Sequence, residues 1–318
     1  MGFNFEVEKK KAIALLLENG VSERDAETIA DCFATADLYG VTSHGLAILP
    51  SHIQRIERGA YNLSPNIRVE RSTCAFAVVD GDNSFGAVSA KYCLDLAMEK
   101  CKSSGMYTVF ARNNNTLGPA FYYSLKAAEK GYIAFICTNS PAQMAPVGGK
   151  DKLLGTNPFA VVIPVPDSEP IIVDMATSIV AKSKFKEYKN QGKELPDGWA
   201  LDENGAPTKD PDLGMRGLVL PMAGFKGYAI SMLIDIFSGV LSGASYLDRV
   251  GRFYSEDKSS MDVGFFLTVI DPYAVCGEEY GKEICEFVRT IRESNAIDGC
   301  TVCLPGDDRI ARKNANIK

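Results

Sequence analysis

Residues 155–178 read GTNPFAVVIPVPDSEPIIVDMATS, and their reading decides the fold. Phe159 to Val165 and Pro170 to Val173 are short apolar runs rich in β-branched residues. Pro, Asp and Ser punctuate them, which is the signature of strands. Gly155-Thr-Asn-Pro158 is a tight turn into the first strand. Asp174-Met-Ala-Thr-Ser178 follows the second.

Further strands are read outward from this pair at Cys74 to Val79, Tyr107 to Ala111, Tyr132 to Cys137 and Phe265 to Ile270. Helical spacing recurs at Val88 to Lys102, Tyr122 to Lys130 and Glu279 to Glu293. Upstream, Ser22 caps a helix with acids in its first turn and apolar residues at Ala26, Ile29, Ala30 and Phe33. Another helix runs through Ile48, Ile53 and Ile56 and ends near Gly59. The expected class is α/β (α+β), with a helical part over 1–72 packing with 279–318 and a sheet part over 73–278. Gln191 to Leu213 is polar and turn-rich, which predicts a surface excursion.

Composition narrows the function classes. The 318 residues are 46% hydrophobic and 23% charged, with a net charge of −6. That suits a globular protein with a sizeable core and lacks the basic stripe of a nucleic-acid binder. The nine cysteines are odd in number and sit mostly in apolar stretches, which fits free thiols in a reducing compartment. Cys300-Thr-Val-Cys303 reads as a strand rather than a redox pair. Only two histidines, His44 and His52, could complete a zinc site, so no metal is expected. Met1 to Lys11 is polar and charged, without a signal-peptide pattern. Ala229 to Val240 is too short to span a bilayer and reads as a buried helix. A cytoplasmic location without membrane partners is the expectation.

Several residues can carry chemistry. His44, flanked by Thr42, Ser43 and Gly45, can exchange a proton near neutral pH, or can simply hydrogen-bond a helix end. His52 is expected on the surface. Lys226 lies in Gly224-Phe-Lys-Gly227 at the mouth of an apolar helix, where it is either an anion ligand or a solvated lysine. Residues 174–178 can cradle a pyrophosphate or form an ordinary turn. Lys182, Lys184 and Lys186 can meet a 2′-phosphate or form a solvated face.

The order and spacing of Thr42-Ser-His-Gly45, Gly155-Thr-Asn-Pro158, Asp174-Met-Ala-Thr-Ser178 and Gly224-Phe-Lys-Gly-Tyr228 resemble the malate/L-lactate/sulfolactate dehydrogenase family, which includes ureidoglycolate dehydrogenase and diketogulonate reductase. Asp80-Gly-Asp-Asn-Ser-Phe-Gly86, Asn139-Ser-Pro141, Gly198-Trp-Ala-Leu-Asp202 and Pro305-Gly-Asp307 extend the resemblance over nearly the whole chain.

The resemblance implies a fold that is not a Rossmann domain: a mixed sheet binding NAD or NADP, plus a mainly helical part. It implies an oxidoreductase acting on small 2-hydroxy or 2-oxo acids, or in some members on cyclic imines, and a homodimer. By similarity His44 is the proton donor, and Ser43 and Thr116 orient the substrate. The cofactor is held by Ser140, by Asp174, Met175, Ala176, Thr177 and Ser178, by Lys226, and by Pro305, Gly306 and Asp307. Three positions depart from the family pattern. Ile48 stands near where an arginine is common, and Thr116 and Phe225 stand where histidines are. Isoleucine cannot clamp a carboxylate, and threonine cannot titrate near neutral pH. The chain also ends soon after the Pro-Gly turn, which implies a shorter tail than many relatives have. A cofactor-binding homologue without catalysis is the remaining alternative.

Overall fold

The structure, a computed structural model, describes residues 3–256 and 258–317. Three helices open the chain: α1 (Phe5–Glu18), α2 (Glu23–Leu38) and α3 (Leu49–Glu57). Next come β1 (Arg68–Ser72), β2 (Phe76–Ser84), α4 (Gly86–Ser104), β3 (Met106–Asn114), α5 (Ala120–Ala128) and β4 (Ile133–Thr138). They are followed by β5 (Phe159–Ile163), β6 (Ile171–Met175), α6 (Ser183–Asn190), β7 (Ala200–Leu201), β8 (Pro207–Thr208), α7 (Pro211–Arg216) and β9 (Leu218–Val219). The last stretch holds α8 (Phe225–Asp235), β10 (Val263–Ile270), α9 (Pro272–Cys276), α10 (Glu279–Arg292) and α11 (Asp307–Asn316).

Seven strands form one mixed sheet in the order β1-β2-β3-β10-β4-β5-β6. Among the described residues β2 and β3 are its single parallel pair. The helix α4 makes that crossover. Its buried residues Ala90, Cys93, Leu94, Ala97 and Cys101 recur at helical spacing, and Gly105 ends it at φ 73°. β10 enters the middle of the sheet from far downstream, with Phe265 opposite both Ala111 and Thr138. Its sequence VGFFLTVI is apolar on both faces, as a central strand requires.

The principal core is shared between helices and sheet. Leu16, Ile29 and Phe33 from α1 and α2 join Val79, Leu94, Val109, Phe121 and Leu267 in one buried cluster. α11 returns to the N-terminal helices, where the Asn316 side chain donates to the carbonyls of Asp37 and Leu38. α10 packs Ile284, Val288 and Ile291 over the β5–β6 edge.

Three sequence expectations change. The 191–213 segment is the surface excursion expected, and it is structured. β7, β8 and β9 form a small sheet, and Phe185, Leu195, Ala200 and Val219 make a core of their own. Cys300 to Leu304 is an irregular loop with both thiols exposed, because no neighbouring strand offers it a ladder. His52 is buried, since it lies three residues after Leu49 on the inner face of α3. The 229–240 stretch is an α-helix that passes into a π-helical turn over Ile236–Val240, with Met232, Leu233, Phe237, Val240 and Leu241 exposed. An all-round apolar helix was read as buried. Within one chain only part of its circumference is covered.

Candidate active site

The His44 turn is built by its neighbours. A short 3₁₀ segment, Thr42–His44, follows α2, and a second, Leu46–Ile48, leads into α3. Asp37, at the end of α2, accepts the Leu46 N–H at 2.8 Å. A Cβ on Gly45 would lie 1.9 Å from the Asp37 carboxylate, so this position demands glycine. The turn leaves one side of His44 open to solvent while protein packs closely around the rest of the ring, which is the desolvation felt by its imidazole. Ser43 Oγ lies 2.9 Å from His44 Nδ1, which leaves Nε2 as the free ring nitrogen.

Asp174, at the end of β6, and Arg309, on the first turn of α11, complete the cluster. Arg309 Nη1 lies 2.8 Å from Asp174 Oδ2, and Nη2 donates to the Asp174 carbonyl at 3.2 Å. The guanidinium rests over the Phe121 ring, 5.1 Å from its centroid. Burial by surrounding protein lowers the His44 pKa; Asp174 opposes that shift and Arg309 adds to it. Burial raises the Asp174 pKa, against the pull of Arg309 and His44. The histidine and the acid are thus each moved toward neutrality. Such a pair can take up or release a proton with little change in solvation.

His52 does no such work. Its ring is 1% exposed and its Nδ1 lies 2.7 Å from the Tyr61 hydroxyl, among Phe33, Phe85 and Phe253. Burial, with the Arg55 charge beside it, drives its pKa down to about 3.

The other motifs interlock beside the His44 cluster. Thr177 donates its N–H and hydroxyl to the Thr156 carbonyl at 2.9 and 3.0 Å. Ser140 N–H donates to Asn157 Oδ1 at 3.1 Å, and a Cβ on Gly155 would lie 2.2 Å from the Ser140 carbonyl. Ser231 on α8 donates to the Gly155 carbonyl, and Asn157 donates back to the Ser231 carbonyl. Met222 N–H donates to Thr177 and Ile179 N–H to Leu220. Residues 174–179 therefore run from the Arg309 pair to the strand end that precedes α8. Ser178 Oγ is spent on the Val180 carbonyl.

The N-terminus of α8 has no side-chain cap. Lys226 in its first turn is exposed and makes no ion pair among the described residues. A Cβ on Gly224 would meet nothing within 4 Å. The Gly227 N–H is spent on the Met222 carbonyl, so the Phe225 and Lys226 N–H groups, the Lys226 ammonium and the open backbone at Gly224 are what fit a diphosphate. The lysine cluster is less available. Lys182 Nζ donates to the Gly217 carbonyl at 3.1 Å, and burial, then Lys152, lowers its pKa to about 8. Lys184 pairs with Glu187.

The Pro305 turn delivers Arg309. Gly306 has φ 97°, and a Cβ there would lie 2.6 Å from Ile172 Cβ. Ile172 N–H donates to the Pro305 carbonyl at 3.0 Å. Asp307 is held by Arg292 at 2.9 and 3.1 Å and accepts the Leu304 N–H, so its carboxylate shapes the turn. Thr116 is half-buried on the β3–α5 connection, where its carbonyl lies against Gly86. No hydrogen bond joins it to His44 among the described residues. Arg309 escaped the sequence reading: it stands in a charged, exposed-looking helix, and only its place two residues after Pro305-Gly-Asp307 hinted at the site. Among the described residues no group of three His, Cys, Asp or Glu side chains could hold a metal, and no helix is long and apolar enough to cross a membrane.

A seven-stranded mixed sheet with a histidine–aspartate–arginine cluster at one end and an uncapped helix beside it is not the doubly wound dinucleotide fold. Residues 3–318 match the malate/L-lactate dehydrogenase family, and the chain belongs to that family. It is 38% identical to a malate dehydrogenase of Pyrococcus horikoshii over 89% of this chain and 80% of the relative. It is 32% identical to an NAD(+) ureidoglycolate dehydrogenase of Escherichia coli K12, over 92% and 84%. The structure of sulfolactate dehydrogenase from Methanocaldococcus jannaschii superposes with a TM-score of 0.93 at 35% identity, covering 99% of this chain and 91% of that one.

Proposed function

We propose that this chain is a cytoplasmic NAD(P)-dependent oxidoreductase of small 2-hydroxy and 2-oxo acids, with His44 as the proton-transfer group. The carrying observation is the His44 side chain, oriented by Ser43 and set beside the Asp174–Arg309 pair at the end of the cofactor-candidate strip. When bound, a reduced nicotinamide would supply the hydride that C2 of the oxo acid needs. The chain's own work is binding, orientation and proton transfer. Ser140, the 174–178 strip, Lys226 and the backbone of the Pro305-Gly306-Asp307 turn hold the cofactor. The α8 N-terminus and Lys226 meet its diphosphate. Ser43 and Thr116 orient the substrate, and protonated His44 gives its proton to the oxygen at C2. In the reverse direction neutral His44 takes that proton. The exposed apolar residues of α8 and the turn after it support a homodimer.

The test is a turnover panel with NAD and NADP, comprising malate, sulfolactate, ureidoglycolate and lactate, with cyclic imino acids as the contrasting set. Oxidation of at least one hydroxy acid is expected. Turnover of imino acids alone would move the assignment to an imine reductase. Tight cofactor binding with no turnover anywhere would leave a non-catalytic binder.

A further inference from the structure

The connection between α10 and α11 carries Cys300 and Cys303, and both thiols are free and exposed. A strand here would send residues three apart to opposite faces and hold the two sulfurs away from each other. The chain is a loop instead, and that obstacle is gone. Among the described residues Thr301, Val302 and Cys303 neither donate nor accept a backbone–backbone hydrogen bond. Cys303 Sγ lies 3.5 Å from the Thr301 carbonyl, so the thiol is turned back along the chain. A disulfide needs Cα atoms about 4.4–6.8 Å apart. A four-residue turn supplies that separation, and the segment can adopt one without breaking a backbone hydrogen bond.

The next residues tie this loop to the candidate active site. Leu304 is 7% exposed and packs with Val165 and Ile171. Its N–H donates to Asp307 Oδ2 at 2.8 Å, and its carbonyl accepts the Asp307 N–H at 3.2 Å. Arg292 holds the same carboxylate. Asp307 raises the Arg292 pKa, burial opposes the rise, and Cys303 adds to it. The sulfur, the guanidinium and the Asp307 turn are therefore neighbours. Two residues beyond Asp307, Arg309 pairs with Asp174 beside His44. A turn imposed on 300–303 pulls first on Leu304, which is bonded to the residue that shapes the entry to α11.

We propose that Cys300 and Cys303 are a thiol–disulfide switch. When oxidised, the pair draws its segment into a turn, loosens the Leu304–Asp307 bonds and withdraws Arg309 from Asp174. The oxidant is a small-molecule disulfide. The thiolate of one cysteine attacks a sulfur of that disulfide, which releases one small thiol and leaves a mixed disulfide. The second cysteine thiolate then attacks the protein-side sulfur, closing the Cys300–Cys303 bond and releasing the second small thiol. The cysteine pair loses two electrons and two protons, and the small disulfide gains both. Exposed bridges are the labile ones, so the pair stays reduced in a reducing compartment and responds when the poise shifts. The effect on turnover rests on the oxidoreductase reading above, whereas the bridge and the loosened turn do not.

The experiment incubates the whole protein with oxidised glutathione and locates disulfides by peptide mass. Hydrogen exchange of the 304–310 amides and turnover are followed on the same samples. The bridge should join Cys300 to Cys303 and revert in dithiothreitol. The Leu304 and Asp307 amides should exchange about tenfold faster in the oxidised protein, as local opening of the turn permits. Turnover should fall by about tenfold or more, since a displacement of about 1 Å can cost 10²-fold. The double variant Cys300→Ser, Cys303→Ser should keep the reduced wild-type rate and lose both responses. No bridge, or one that joins other cysteines such as Cys276 and Cys285, would overturn the proposal. A Cys300–Cys303 bridge that leaves amide exchange unchanged, or leaves the turnover of an active enzyme unchanged, would overturn it too. If the reduced wild type oxidises no hydroxy acid, the oxidoreductase reading fails, and the mapped bridge with the exchange rates still decides the switch.

Discussion

At the scale of the residue, His44 and Asp174 set the pH behaviour. Burial depresses the histidine below its ordinary 6.5, and the Asp174 charge raises it back in part. Oxidation of a hydroxy acid needs neutral His44, so its kcat/KM should climb with pH through a midpoint below 6.5 and then level off. Reduction, which needs the protonated ring, should fall over the same interval. Asp174→Asn removes the group that raises His44, so it should move the midpoint lower still. A midpoint above 6.5 in the pH–rate profile, or one indifferent to residue 174, would contradict this electrostatic account. The pair is coupled, so the profile reports both groups. His44 was legible as a candidate from its small polar neighbours. Its partner Arg309 was not, because no local pattern distinguishes it from the other charges of α11. His52 was misplaced because a lone histidine in a mixed sequence says nothing of which helix face it occupies.

At the scale of the element, the decisive devices are turns that tolerate no side chain. Gly306 combines φ 97° with an approach of 2.6 Å to Ile172, whereas Gly59 has φ 71° in open space. Gly59→Ala should therefore cost only the left-handed strain, about 1–2 kcal/mol. Gly306→Ala adds a backbone clash, and should lower the denaturation midpoint more while reducing activity by shifting Arg309. Equal losses in denaturant titrations of the two variants would show that α11 is not pinned in this way. Strands β2, β3, β4, β5, β6 and β10 were visible in sequence, since their apolar runs end at Gly, Asn, Asp or Pro. β1 was not: RVERS is an exposed edge strand without an apolar face. β7 to β9 were missed because two-residue strands carry no period to read.

At the scale of the whole molecule, the sheet order could not be inferred from local pattern, because β10 arrives between β3 and β4 after a long detour. The resemblance in spaced motifs implied only a mixed sheet that is not doubly wound, and the structure bears that out. The same scale governs association. Met232, Leu233, Phe237, Val240 and Leu241 form an exposed apolar surface larger than scattered single residues would make. Light scattering should give twice the chain mass at micromolar concentration. Leu233→Glu, by placing a charge on that surface, should halve the mass with little loss of secondary structure. A wild-type monomer would refute the homodimer.

The most direct test of the central claim compares wild type and His44→Ala in steady-state oxidation of the best hydroxy acid, with the NADH dissociation constant measured on the same samples. If His44 carries the proton, kcat falls by about 10²–10⁴ while cofactor affinity stays nearly unchanged. Near-wild-type turnover in His44→Ala would contradict the account and send the search for the proton carrier elsewhere in the cluster.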